Sequence, residues 1–354
     1  MNSQIEENIS LAEFTTLKIG GKARFFLSVK QEYEISEALR FAEQNKLKIF
    51  VLGGGSNVLI ADEGFNGLVL QIALKGISIA RAEDGNVFVT ANAGEEWDKL
   101  VEFCVGENLQ GFECLSGIPG FVGGTPVQNV GAYGQEVSET IVAVKCYDRD
   151  TGNFVELKNA DCQFAYRTSV FNSTEKNRYI VSAVTYKLKF GGEPKIVYRD
   201  LINYFGEKTP DLRETRNAVL KIRAEKSMVI DSDDPNSQSA GSFFKNPIVA
   251  KEKFAEIEGR AKKSGIQIVP HFKVDEKTIK IPAAWLIEKS GFQKGFECGR
   301  AGLSTRHTLA IINRGDATAK DVVALKNIIQ TKVKQNFNIE LNTEPIFVGF
   351  FENN

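Results

Sequence analysis

Between residues 110 and 134 the chain carries seven glycines and two prolines, with little periodicity. Such a stretch is neither a helix nor a central strand, because glycine raises the entropic cost of ordering and proline removes a backbone donor. Long loops inside compact domains are usually functional or disordered. This one contains Leu115, Ile118, Phe121, Val122, Val127 and Val130, so burial anchors it. Two readings stand: a packed Ω-loop, or a loop whose backbone closely approaches a large, flat or phosphorylated ligand.

A second glycine-rich loop, Gly53-Gly54-Gly55-Ser56-Asn57, comes after a strand-like run at 49–52. Consecutive glycines let backbone N–H groups converge on an anion, and Ser56 and Asn57 add side-chain donors. A tight turn between two strands is the plainer alternative. The spacing is not a dinucleotide fingerprint, since Val58 and a strand come next, and no GK[ST] completes a phosphate loop elsewhere. Two such loops in adjacent small α+β domains suggest one extended nucleotide cofactor between them.

The periodicities predict an α+β chain. Helices are expected at 31–45, 95–108, 217–223, 283–289 (opened by Pro282) and 319–335, the last with Thr318 and Asp321 as a capping pair. Strands are expected at 49–52, 58–60, 68–72, 77–80, 87–91, 141–147, 179–190 and 309–313, with Asp84-Gly85 as a hairpin turn. The chain then divides into three regions: 1–67, with the alternating tail 345–354 returning to it; 68–222; and 223–344. A length of 354 residues suits two or three domains.

Composition narrows the function classes. Lys and Arg number 44 and Asp and Glu 45, a formal charge of −1, so the chain lacks the field of a general nucleic-acid binder. It has no run of eighteen apolar residues, and its polar, acidic N-terminus does not read as a signal peptide. Five scattered cysteines without a CxxC pair, and only His271 and His307, argue against a disulfide scaffold, a metal site and Ser-His chemistry. A cytoplasmic setting and a monomer are expected. His271 and His307 read as surface or packing residues.

Five motifs occur in order: GGGSN (53–57), SGIPGFVGGTPVQNVGAYG (116–134), YRTSVF (166–171), AGSFFKNP (240–247) and NTEP (342–345). Together they span nearly the whole chain and resemble the UDP-N-acetylenolpyruvoylglucosamine reductases (UDP-N-acetylmuramate dehydrogenases) of bacterial peptidoglycan synthesis. The resemblance implies a two-lobed flavin-binding fold of the vanillyl-alcohol-oxidase kind over 1–67 and 68–222, and an α+β substrate-binding domain over 223–344. It also implies FAD, NADPH as electron donor and UDP-N-acetylenolpyruvoylglucosamine as acceptor. The flavin contacts it implies are Gly53, Gly54, Gly55, Ser56, Asn57, Ser116, Gly117, Pro119, Gly120, Gly123, Gly124, Asn129, Gly131 and Ala132. With no histidine before residue 271 and Cys114 outside the GGGSN turn, FAD is expected to be held non-covalently.

Reducing an enolpyruvyl double bond requires a hydride source, a stabiliser for charge developing on the carboxylate, and a proton donor. The resemblance gives the second role to Arg167, whose fork can grip a carboxylate, assisted by Glu344, and the third to Ser242. By spacing alone Arg167 is a turn arginine, Ser242 a cap and Glu344 an edge residue. Tyr133, Tyr198, Lys226 and Asn246 match substrate contacts, and 197–201 resembles the tyrosine-bearing loop of one subclass, although the preceding GGEPK turn departs from plainer patterns. Gly299, Arg300 and Ala301 match substrate-domain positions without a definable role, and 15–21 matches an N-terminal architectural segment. Two alternatives remain: another oxidoreductase of this flavin fold, with no need of Ser242, or a silent UDP-sugar or flavin sensor.

Overall fold

A computed structural model describes residues 5–350; the end of the returning tail, 351–354, lies outside the described residues. Over the described residues the chain divides into two units, one of residues 5–9, 23–55 and 65–229, the other of 10–22, 56–64 and 230–350.

The first unit is built on two sheets. In the smaller, the strands run in the order Glu6–Ser10, Lys22–Val29, Phe65–Ile72, Lys48–Leu52. Phe65–Ile72 pairs in parallel with both its neighbours. A strand shared this way is covered on both faces, and Leu68, Val69 and Leu70 are fully buried. Helix Glu32–Gln44 buries Ile35, Ala38 and Ala42. Its start is fixed by Glu34, whose carboxylate accepts from the backbone N–H groups of Lys30 and Gln31 at 2.6 and 2.9 Å.

The larger, antiparallel sheet runs Asn153–Lys158, Ile141–Asp148, Tyr179–Phe190, Asn86–Asn92, Ile77–Arg81. Gly85, at φ +80°, makes the turn between Ile77–Arg81 and Asn86–Asn92. Helix Trp97–Gly106 buries Trp97, Leu100, Val101 and Cys104. Trp97, Phe112 and Tyr186 form an aromatic cluster with centroids 4.9–5.9 Å apart. That cluster anchors the long glycine-rich loop: Trp97 Nε1 donates to Leu115 O at 3.0 Å, and Thr125 Oγ1 lies 2.8 Å from the Tyr186 hydroxyl.

Asp148, at the end of Ile141–Asp148 beside the start of Tyr179–Phe190, is gripped by Arg178, which donates to both carboxylate oxygens at 3.0 Å. These bonds hold the Asp148 carboxyl at about 2. Because its folded value lies below the unfolded one of about 3.9, the pairing stabilises the fold above that unfolded value and fades as pH falls toward 2. Asp148→Asn is therefore expected to lower Tm by a few degrees at pH 7, with the deficit shrinking between about pH 4 and pH 2; thermal melts across that window check it.

The second unit holds two three-stranded sheets, Ile248–Ala250 with Thr278–Lys280 and Phe272–Lys273, and Glu297–Cys298 with Ala301–Leu303 and Ile311–Asn313. Val58–Ile60 pairs in parallel with Ile346–Val348, so the tail strand lies beside the segment just past the GGGSN turn. The core is organised by helix Ala319–Phe337, whose Val322, Leu325, Ile329, Val333 and Phe337 form the buried stripe. Thr318 and Asp321 cap it reciprocally, with Asp321 N donating to Thr318 Oγ1 at 3.1 Å and Thr318 N to Asp321 Oδ2 at 2.9 Å. Asp62 also serves this helix start, accepting from Ala319 N at 2.6 Å and Lys320 N at 3.1 Å.

Helix 217–223 is longer than its periodicity suggests. It runs Leu212–Glu225 from an Asp211 cap that accepts from Glu214 N at 2.7 Å. His271 packs on Phe254 with centroids 4.6 Å apart.

Candidate functional site

In the first unit the two glycine-rich loops meet backbone to backbone. A Cβ on Gly54 would stand 2.7 Å from Gly120 Cα and 3.0 Å from Phe121 N. Gly120 itself has φ +119°. Only glycine at both positions permits the approach. Gly53 and Gly124 instead face open space, with nothing within 4 Å of where a Cβ would lie. Among the described residues the N–H groups of Gly54, Gly55 and Gly120 have no protein acceptor. Paired loops with undirected donors beside open space fit a phosphorylated ligand.

The other loop positions divide into support and rim. Ser116 is buried and donates to Glu113 O at 2.8 Å. Gly123 packs on Ala93, whose Cβ would be 2.6 Å from an added methyl. Gly117 N donates to Asp98, which Arg216 grips at 2.6 and 2.9 Å; these bonds outweigh burial and hold the Asp98 carboxyl below its ordinary range, although burial is the largest single influence. Pro119 lies between these anchored positions and Gly120. Substituting Gly54→Ala is expected to wedge the loops apart and weaken flavin retention about tenfold or more while leaving far-UV circular dichroism unchanged; fluorescence of flavin released on dilution checks this.

Arg167 sits in the left-handed region, φ +53°. It is half-buried, not the surface turn arginine that spacing alone suggests. Its guanidinium donates to Gly131 O at 2.7 Å and Asn129 O at 3.4 Å. Asn129 is also left-handed, and its amide donates to Glu136 at 2.8 Å and to Ala165 O at 3.1 Å. Ala132 and Gly131 pair with Gln135 and Glu136 in a short hairpin. Asn129, Gly131, Ala132 and Arg167 therefore form one hydrogen-bonded patch.

Tyr133, Tyr198 and Lys226 also come together. The tyrosine rings meet edge to face at 5.3 Å, and the Lys226 ammonium lies 5.8 Å from the Tyr133 centroid. Tyr198 caps helix Arg199–Phe205. Gly134, at φ +85°, allows Val197 to seat on the hairpin, since a Cβ there would clash at 2.5 Å. Arg223 joins the site from the structure rather than from the sequence. Its side chain is half-buried, one Nη donates to Met228 O at 2.7 Å, its buried Nε lacks an acceptor among the described residues, and burial pushes its ionisation down from the ordinary arginine range. It lies 3.3 Å from where a Gly117 Cβ would be. A half-buried arginine with a buried, unused Nε donor beside a glycine loop suits an anion. Its position three residues before Lys226 at a helix end is the only trace of it in the sequence.

In the second unit the chain brings Ser242 and Glu344 onto adjacent extended segments. Glu344 N donates to Phe243 O at 2.9 Å, Lys245 N donates to Asn342 O at 2.9 Å, and Phe244 bridges Thr343. Gly241, at φ +70°, turns the chain into Ser242, and the buried Phe243 and Phe244 fix the backbone on its C-terminal side. The Ser242 hydroxyl has no hydrogen-bond partner among the described residues. Asn57 reaches the same place, its amide donating to Glu344 O at 3.3 Å; Ser56 is half-buried beside it. Asn246 accepts from Ala283 N at 2.8 Å and so caps helix Ala283–Lys289.

Residues 23–158 match the family described as FAD binding domain. The chain is thus a flavin-binding oxidoreductase, and FAD fits the opposed glycine loops and the Arg223 donor described above. Residues 233–348 match the UDP-N-acetylenolpyruvoylglucosamine reductase C-terminal domain. The reductase of Thermobifida fusca is 43% identical over 99% of both chains, and that of Streptomyces coelicolor is 43% identical over 96% of this chain and 89% of its own. The crystal structure of the Thermus caldophilus reductase covers 98% of this chain and 99% of its own, with TM-score 0.66 and 25% identity. The chain belongs to the UDP-N-acetylenolpyruvoylglucosamine reductase family.

Proposed function

We propose that this chain reduces UDP-N-acetylenolpyruvoylglucosamine to UDP-N-acetylmuramate in peptidoglycan synthesis, with NADPH as electron donor. The observation that carries the reading is the pairing of Ser242, an unpartnered hydroxyl, with Glu344 on the neighbouring segment, in a chain that also holds a flavin domain. FAD, when bound, supplies hydride chemistry. Ser242 donates the proton that completes the saturated carbon. Arg167 holds the carboxylate as charge develops on it, and Glu344 shares a proton with its oxygen. Tyr133, Tyr198, Lys226 and Asn246 hold the nucleotide sugar.

The flavin contacts would be Gly53, Gly54, Gly55, Ser56, Asn57 and the 116–132 loop positions, with Arg223 facing an anionic part of the cofactor or substrate. Two flavin lobes over 1–67 and 68–222 and a substrate domain over 223–344 suit this division of labour. Flavin is held without a covalent bond; the buried Cys114 thiol is pushed up far above its ordinary range, chiefly by burial, and makes a poor nucleophile. The chain works as a cytoplasmic monomer; among the described residues no helix is long and apolar enough to cross a membrane. Under anaerobic conditions, the purified chain should oxidise NADPH beyond one equivalent per bound flavin only when the enolpyruvyl sugar is present, and should then yield UDP-N-acetylmuramate by mass spectrometry. NADPH consumption that ignores the sugar contradicts the reading.

A further inference from the structure

Lys226 caps the C-terminal end of helix Leu212–Glu225 and is paired there. Its ammonium donates to Asp200 Oδ2 at 2.6 Å, and both side chains are about a third exposed. Asp200 stands two residues after Tyr198, in the first turn of helix Arg199–Phe205. The Tyr198 segment is therefore held in three ways: by Val197 on Gly134, by the Tyr133–Tyr198 ring contact, and by the Asp200–Lys226 ion pair. The charged groups gathered here are Arg223, Lys226 and Asp200, with the phenols of Tyr133 and Tyr198; burial raises both phenols, so they stay neutral.

From this arrangement we propose that Asp200 is a competing latch on the diphosphate subsite, setting the affinity of the site for nucleoside diphosphates. The proposal rests on the reading of Lys226 as a diphosphate contact. A carboxylate already bonded to the ammonium occupies the place a phosphate oxygen would take. A diphosphate approaching Lys226 must displace Asp200 or lie against it, and like charges a few ångströms apart repel. A ligand with no phosphate gains nothing from breaking the pair. A partly exposed ion pair is weak enough to be exchanged in this way.

Calorimetric titration of the FAD-loaded chain with UDP and with uridine tests it. Asp200→Asn should bind UDP about fivefold more tightly and uridine unchanged, and Asp200→Ser should do the same, with Tm near that of the parent. Lys226→Met should weaken UDP binding, and Asp200→Asn in the Lys226→Met background should gain clearly less than the same substitution gains in the parent. If Lys226→Met weakens UDP binding but Asp200→Asn leaves it equal or weaker, the latch is overturned and the diphosphate subsite stands. If Lys226→Met leaves UDP binding unchanged, the subsite reading fails and the latch fails with it.

Discussion

Ser242→Ala should leave flavin bleaching by NADPH close to the parent rate while slowing its reoxidation by the enolpyruvyl sugar by about 10²–10⁴-fold, the usual worth of a positioned general acid. The expectation comes from how Ser242 is held. Gly241 makes the left-handed entry, Phe243 N donates to Leu309 O at 2.8 Å, and Phe243 and Phe244 are at most 1% exposed. The backbone is fixed without help from the hydroxyl, so removing one oxygen leaves the segment in place. Anaerobic stopped-flow measurement of the two half-reactions separates the outcomes. Loss of both together would indicate damage to flavin binding rather than loss of a proton donor.

Arg167→Lys should be nearly as costly to the sugar-dependent half-reaction, on the order of 10²–10³-fold, the scale seen when one preorganised charge stabiliser is removed. Lysine keeps the charge but loses the planar fork. Arg167 also uses that fork to hold Gly131 O and Asn129 O, so the substitution removes the means by which the cation is aimed. A small fall in Tm is expected with it. The measurement that separates aim from charge is the KM against kcat split: kcat for sugar reduction should fall strongly while NADPH oxidation with an artificial acceptor persists. Equal loss with both acceptors would place Arg167 in the flavin site instead.

Elements with local causes are legible in the sequence. Helix Ala319–Phe337 carries its own cap and its own stripe, and the turn at Asp84-Gly85 is a two-residue signal. The loop at 110–134 announces burial through its apolar residues, and Leu115 and Val122 are indeed fully buried. Helix Lys251–Lys263 is hidden in the sequence, because Gly259 interrupts it and only Phe254, Ile257 and Ala261 are buried in a run of charges. Helix Arg199–Phe205 is too short to show a period, and its Ile202 and Tyr204 are exposed.

Features that depend on distant partners leave no local trace. Residues 10–22 and 56–64 group with 230–350 through the parallel pairing of 58–60 with 346–348 and through Asp62 at the start of a helix some 257 positions away. The site behaves likewise. The glycine loops are visible as loops, but that Gly54 meets Gly120 is a fact of three dimensions. Arg223 looks like any helix-end arginine until its buried, unused Nε is seen. Arg167 and Ser242 are proposed on the resemblance alone, since the spacing around each fits an ordinary turn or cap equally well.

The central claim is that this chain moves two electrons from NADPH through bound flavin to an enolpyruvyl double bond. A sequential anaerobic mix tests it most directly: purified yellow protein with one equivalent of NADPH, then with the enolpyruvyl sugar, with flavin absorbance monitored throughout. The account predicts bleaching on the first addition and full recovery of colour on the second, with UDP-N-acetylmuramate formed in matching amount. Bleached flavin that regains its colour only when air is admitted, and not with the sugar, would contradict it.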